Sequence, residues 1–338
     1  MPRFKVMTWN VENLFLPSEE GGAEDEAIFA QKLAGLTEVM LGLEPDVIAL
    51  QEIGSEKAFD ALKNALGDAY PHRQLSTFPD RRGIRVGFFS RLEIEDHEDL
   101  ADFSEGVLSS VPGLDSSGDP KPVTAMGRGA LRVLVRPQPD TPINLITAHL
   151  KSKLLTFPSD SERTRFSPRN EDERAIVAGL ALLRRTAEAV TLRTRANDLL
   201  VGDSTTSLIL LGDFNDVTDA ATTQILQGPP GSEIGTGGFN RPDKGDDARL
   251  FNLAPLIPEE RRYSRIYRSN RELIDHILVS DELLPGEPRA LPQADSHVNI
   301  LGGLPSITNL PSQRRSEPQS DHAPVSATFE LNNSASED

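Results

Sequence analysis

The runs Val47-Ile48-Ala49-Leu50 and Leu208-Ile209-Leu210-Leu211 contain no polar residue, and nothing else in the chain constrains its fold as tightly. A strand with one face in water alternates apolar and polar side chains. A uniformly apolar run of this length is a strand covered on both faces. Related segments recur at 4–7, 46–50, 85–89, 131–135, 143–147, 208–211, 274–279 and 325–329, each read as a strand. Helical patterns lie between them. Phe29, Leu33, Leu36, Met40 and Leu43 advance by fours and threes, which predicts a helix over 29–43 that ends before Glu44-Pro45. A second helix is expected over 58–66, stopped by Gly67, and a longer one over 171–197. The long helix is given an apolar stripe of Ile176, Leu180, Leu183, Ala187 and Val190, with Arg174, Arg185 and Glu188 on its far side.

Strands alternating with helices and no clear linker argue for one α/β domain over residues 1–330, followed by a polar tail at 331–338. The segments 96–126 and 228–247 are rich in acidic, Gly, Ser or Pro residues. Both are expected to be irregular surface excursions. Hydrophobic content of 37% is enough for a core at 338 residues. The chain has no cysteine, so disulfides, thiolate catalysis and Cys-ligated zinc are excluded, and a reducing compartment fits. Residues 1–8 lack the pattern of a secretory signal, and no apolar stretch is long enough to span a bilayer. The expectation is a soluble, cytoplasmic protein without stable membrane association. The net charge of −17 argues against a general DNA-coating surface. Locally the balance reverses, with ten Lys or Arg against seven Asp or Glu over 150–198. Such a strip can receive a polyanion or can simply be a solvated helix face.

Polar residues gather where the apolar runs end. Glu52 closes the run that starts at Asp46, placed either as a metal ligand or as a charge reaching water. Asn10 follows Trp9 at the end of the first strand, where its amide can hold a metal, orient a phosphate oxygen or form a turn. In Gly212-Asp213-Phe214-Asn215, alternation puts Asp213 and Asn215 on one side. A carboxylate there can accept a proton from water while the amide steadies a phosphoryl oxygen. His149 ends the 143–147 strand and Lys151 follows two residues later, so both can set positive charge against a phosphate. Asp275 and His322 can form an acid–imidazole pair in which the carboxylate fixes the tautomer. His276 alternates with Asp275 and should face the other way, in a structural role. Arg128, between two glycines, either offers a guanidinium to phosphate or sits in a turn. These oxygen, amide and imidazole groups suit a hard divalent cation holding a phosphate.

Taken in order, Trp9-Asn10, Gln51-Glu52, His149-Leu150-Lys151-Ser152, Gly212-Asp213-Phe214-Asn215, Ile274-Asp275-His276 and Ser320-Asp321-His322 closely resemble the endonuclease/exonuclease/phosphatase superfamily. The resemblance is strongest to its bacterial nuclease-type members. It implies the DNase I-like fold, a four-layer α/β/β/α sandwich of two packed mixed sheets. It also implies Mg²⁺ or Mn²⁺ at Glu52 with Asn10 and Asp321 near it. His322 paired with Asp275, and Asp213 with Asn215, would manage the attacking water and the transition state; either Asp213 or His322 is the general base. His149 would contact the scissile phosphate or assist the leaving group, with Lys151 and Arg128 as phosphate contacts. The implied activity is metal-dependent phosphodiester hydrolysis, first of nucleic acid. A phosphatase or phosphodiesterase acting on inositol phosphates, phospholipids or small nucleotides is the alternative. A further acidic residue supporting the first His is common in the family and has no evident counterpart here. The 154–195 segment, longer than in compact members, is a candidate specificity element.

Overall fold

A computed structural model describes residues 2–106, 108–159, 165–201, 207–241, 248–284, 291–308 and 314–331. In chain order the elements are β1 (Arg3–Leu14), α1 (Glu26–Leu43), β2 (Val47–Ile53), α2 (Glu56–Leu66), β3 (His72–Leu75), β4 (Arg85–Ser90), β5 (Ile94–Asp102), β6 (Ala125–Gln138), β7 (Thr141–His149) and α3 (Glu171–Leu200). There follow β8 (Ser207–Asp213), α4 (Ala221–Leu226), β9 (Leu250–Asn252), β10 (Arg265–Tyr267), β11 (Asn270–Glu272), β12 (Asp275–Ser280), β13 (Gln293–Ser296), β14 (Ser306–Ile307) and β15 (Val325–Glu330). Two six-stranded sheets form, in the orders β13-β15-β1-β2-β4-β3 and β5-β6-β7-β8-β12-β9, with a three-stranded ribbon β11-β10-β14 beside them. Each large sheet mixes parallel and antiparallel pairs.

Period two sets the layers. In β1, Phe4 and Val6 point into the gap between the sheets, where they join Val47, Phe88, Leu131, Val133, Ile209 and Leu211. Met7, Trp9 and Val11 point the other way, under Phe29, Leu36, Met40, Phe59 and Leu62 of α1 and α2. The outer face of the second sheet, including Ala130, Ile146, Leu208 and Leu210, is covered by Leu192, Ala196 and Leu200 of α3. The result is the α/β/β/α sandwich implied above, with β2 and β8 buried on both faces as their composition required. Helix starts are capped locally: Asp25, Ser55 and Asn170 accept from the backbone N–H three residues on. α1 closes on Glu44 in a left-handed conformation just before Pro45. No helix among the described residues is long and apolar enough to cross a membrane.

Three expectations need correction or completion. The buried face of α3 is one position round from the expected stripe. Of the expected stripe Ala187 is buried, but Ile176 is 57% and Leu183 46% exposed, whereas Val177, Ala181, Arg185, Glu188, Leu192 and Ala196 are buried. Hydropathy places Arg185 and Glu188 in water, yet both are buried because the loops beneath supply their partners, as described below. The 96–126 segment is not irregular throughout, since 94–102 is the edge strand β5. This strand has no apolar alternation to read, because its acidic side chains are held by distant arginines: Arg132 pairs with Asp96 and Glu98, and Arg195 with Glu98. Between β5 and the start of β6 at Ala125 the described residues carry only isolated bridges, and 228–241 has neither helix nor strand. Leu331 is buried, its N–H donating to Pro2 O over 3.0 Å. The remainder of the polar tail, 332–338, lies outside the described residues.

Candidate active site

Strand register assembles the first half of the site. β7 runs parallel to β8 with His149 beside Asp213, and β12 runs antiparallel to β8 with Asp275 opposite Asp213. Residues directly paired across a ladder share a face, so these two carboxylates and one imidazole converge. Gly212 permits this: its φ is +151°, and a Cβ there would lie 2.0 Å from Ala148 O. The other sheet supplies Asn10 at the end of the β1–β2 ladder, paired with Gln51, with Glu52 next. Glu12, Asn13, Glu52 and Asn215 all have positive φ, between 49° and 63°. Such conformations are costly for residues with side chains and cluster where a site over-determines them. The segment carrying His322 is latched to β1: the Trp9 indole donates to His322 O (2.8 Å) and Ser320 Oγ to Asn10 O (2.7 Å).

Asp213 Oδ2 is the hub. Asn10 Nδ2 donates to it over 3.0 Å and to Glu52 Oε1 over 3.2 Å, so one amide bridges two carboxylates. His149 Nε2 lies 3.2 Å from the same oxygen and His322 Nε2 4.0 Å from it. His322 Nδ1 is 2.7 Å from Asp275 Oδ2. Asp321 Oδ1 lies 4.0 Å from His322 Nε2, and its N–H donates to Glu12. Asn215 donates its backbone N–H to Asp213 Oδ1 and its side-chain amide to Leu150 O. Every one of these side chains is buried or nearly so.

Burial and charge set the protonation states. Burial, with Asp275 opposite, pushes Asp213 up to about 6. Burial alone would pull His322 down, but Asp275, Asp321 and Asp213 outweigh it and push it up to about 10. Burial, with the charges of Arg128 and His322, holds His149 well below its ordinary value, so it is a neutral imidazole. Burial acts to raise Glu52, but Arg82 and Arg128 prevail and keep it ionised. At neutral pH the site therefore holds carboxylates at Asp213 and Glu52, an imidazolium and a neutral imidazole.

The remaining expected residues lie at the rim. Arg128 reaches Leu150 O (3.2 Å) and sits 3.4 Å from Asp80 Oδ2. Lys151 turns its ammonium to the carbonyls of Ser152 and Leu154, and burial beside Arg128 lowers it to about 8. His276 points away from the cluster as expected, bonded to Asp216 O and near Asn252, and stacked on Phe214. Glu188, assigned to solvent from the sequence, is the positioning residue that reasoning missed. Fully buried on α3, it accepts the N–H groups of Gly127 (2.8 Å) and Lys151 (2.6 Å) and pairs with Arg184. Arg185 beside it holds Lys151 O and Asp216. The family's support for the first His has no counterpart among the described residues, because His149 Nδ1 is buried without a hydrogen-bond partner.

The donor set fits a divalent cation. Asp213, Asp275 and His322 present ligand atoms within 4.8 Å of one another, and Asp275 Oδ1 is buried without a partner. His322 Nδ1, however, is engaged by Asp275. Hard cations prefer oxygen, which favours the Glu52 side of the cluster, where an ionised carboxylate meets Asn10.

Fold and site together define a hydrolytic α/β sandwich with a buried acid–imidazole centre. The model of the Endonuclease/Exonuclease/phosphatase family matches residues 7–322, and the chain belongs to that family, whose members are phosphoric ester hydrolases. No curated protein sequence matches it. Among solved structures it is similar to an endonuclease/exonuclease/phosphatase family protein from Leptotrichia buccalis (14% identity, TM-score 0.55, 97% of this chain and 100% of that one). It is also similar to the human Nocturnin catalytic domain with bound sulfate (14%, 0.56, 98% and 95%). A third is D. rerio TDP2 complexed with single strand DNA product (16%, 0.54, 98% and 100%). At these identities the likeness is one of fold.

Proposed function

We propose that the chain is a divalent-metal-dependent phosphodiesterase that opens a phosphate ester by in-line attack of water, with nucleic acid as its substrate class. The observation that carries this reading is the set around Asp213 Oδ2: Asn10, His149 and His322 surround it, and His322 is backed by Asp275. Asp213, ionised above about pH 6, takes the proton of the attacking water, steadied by Asn10 and by the backbone N–H of Asn215. His322 is already an imidazolium, so it stabilises charge developing on the phosphoryl oxygens rather than acting as base. Asp275 fixes its ring and balances its charge. His149, neutral and facing the same carboxylate, is placed to contact the scissile phosphate or the leaving oxygen. Arg128 and Lys151 flank the mouth as phosphate contacts. Glu52, Asn10 and Asp321 would hold Mg²⁺ or Mn²⁺, which supplies Lewis-acid polarisation of a phosphoryl oxygen when bound. The net charge of −17 favours a second reading, a small phosphate ester as substrate, because it opposes long-range attraction of a polyanion.

The deciding experiment incubates the protein with supercoiled plasmid, single-stranded RNA and an inositol phosphate, with Mg²⁺, Mn²⁺ or EDTA, alongside Asp213→Asn. Metal-dependent cleavage of nucleic acid that vanishes in the variant supports the nuclease reading. Phosphate release from the small ester alone moves the conclusion to the second reading. Activity retained in Asp213→Asn removes the mechanism.

A further inference from the structure

The strip expected to be basic, 150–198, is largely neutralised within the protein: Arg165, Arg174 and Arg184 pair with Glu173, Glu171 and Glu188 of the strip itself, and Arg185 and Arg195 with Asp216 and Glu98 outside it. The unbalanced positive charge lies elsewhere. Residues 261–271 carry five arginines and no acid in a chain with 52 Asp or Glu against 35 Lys or Arg. Arg261 is consumed by Asp295, and Arg262 by backbone carbonyls. Among the described residues, no carboxylate pairs with Arg265 or Arg268. An arginine without a carboxylate, in so acidic a molecule, is placed for an anion that is not part of the protein.

Geometry gives these two arginines a direction. Arg265 starts β10 and forms an antiparallel bridge with His322. Bridge partners share a face, so its side chain lies on the side from which the His322 ring enters the site. Its Nε is buried without a hydrogen-bond partner, and its charge is among those that lower Asp213. Tyr267, two residues on, lies on the same face. The guanidinium carbons of Arg265 and Arg268 both stand 5.4 Å from its ring centroid. Arginines stacked on a tyrosine lose little freedom when their N–H edges meet a phosphate. Arg268 and Ser269 form the two-residue turn of the β10–β11 hairpin, both with positive φ (47° and 68°). Such a turn ordinarily takes Asn or Gly, so an arginine is held here against local preference. Arg271 pairs with Ile266 and so lies on the opposite face of the ribbon, over Tyr263.

We propose that Arg265, Tyr267 and Arg268 form a track for a single strand of nucleic acid, receiving successive backbone phosphates as the strand leaves the His322 side of the site. This rests on the phosphodiesterase reading and deepens it. A small ester fills only the centre and has no use for a charge in an exposed turn three residues, about 10 Å of extended chain, beyond the partner of His322.

The test is binding of a fluorescein-labelled single-stranded oligodeoxynucleotide to the full chain in EDTA, followed by anisotropy across a salt series. Each phosphate contact on a single strand contributes about 0.7 to the slope of log K against log salt. The double variant Arg265→Ala/Arg268→Ala should therefore lower the slope by about 1.4 and Arg268→Ala, in the exposed turn, by about 0.7. The Arg265→Lys/Arg268→Lys pair should keep the wild-type slope, and Arg271→Ala should leave it unchanged. Unaltered slopes in the alanine variants would overturn the track, as would an equal loss in Arg271→Ala or no oligonucleotide binding by wild type. So would arginine-dependent binding to phosphatidylserine vesicles with oligonucleotide binding indifferent to the same changes. None of these results touches the hydrolase reading, which stands or falls with Asp213→Asn.

Discussion

Asp213 is a carboxylate held where it would rather be protonated, and that has consequences for rate and for stability. Its replacement by Asn should lower hydrolysis on the order of a thousandfold. The wild-type rate should fall as pH drops through about 6, where the carboxylate gains its proton. The stability consequence runs the other way. A folded-state pKa above the unfolded one means the native protein binds the extra proton, so ionisation between pH 4 and 6 costs stability. Melting temperatures measured at pH 4 and pH 6 should therefore shift in favour of Asp213→Asn, relative to wild type, at the higher pH. His322 stays protonated in the folded state over that window, and its unfolded-state titration is common to both proteins, so it does not disturb the comparison. These polar residues were legible because Asn10, Glu52, His149 and Asp213 each follow an apolar run and Asp275 opens one. What the sequence could not show is that Asn10 bridges Glu52 and Asp213, since that contact joins the ends of two different sheets.

At the scale of elements, the long helix explains both a missed residue and a testable weakness. Hydrophobic periodicity chose Ile176 and Leu183 as the inward face because Arg185 and Glu188 look like surface charges. The backbone N–H groups of Gly127 and Lys151, the Lys151 carbonyl and the carboxylate of Asp216, all distant in sequence, make burial of those charges tolerable, together with Arg184 one turn before Glu188. Glu188→Ala strands two buried donors and should cost about 3 kcal/mol in chemical denaturation. Glu188→Gln retains one acceptor and should cost less. Because Gly127 and Lys151 flank Arg128 and the loop after His149, the Gln variant should also raise KM more than it lowers kcat. The β7–β8 junction is stricter. Gly212→Ala forces a Cβ onto Ala148 O and should destabilise by about 4 kcal/mol, with loss of hydrolysis in whatever folded protein remains. The edge strand β5 escaped notice for a related reason: its acidic side chains answer arginines on β6 and α3, and no local pattern records a partner so far away.

For the whole molecule, the proposed cation binding is the feature most readily tested without knowing the substrate. A ligand that binds only the native state adds about 2.7 kcal/mol at a hundredfold excess over Kd. Millimolar Mg²⁺ or Mn²⁺ should thus raise the melting temperature by a few degrees, EDTA should reverse the rise, and Glu52→Gln should abolish it. A single α/β domain with strands covered on both faces was legible from the uniformly apolar runs and the helices between them, whereas the four-layer stacking followed only from the resemblance of the site motifs to the family. The positive charge was not, because counting charges along 150–198 cannot reveal which arginines are already spent on carboxylates.

The latch between Trp9 and His322 closes a loop of some three hundred residues, and that loop has a temporal meaning. During synthesis the chain emerges from its first strand onward, and early segments fold as they appear. Glu52, His149 and Asp213 are then present, but the strand beside β1 and the imidazolium are not. On the mechanism proposed above, a nascent chain that has not yet reached His322 is therefore chemically silent, however much of it has folded, and competence arrives in a single late step.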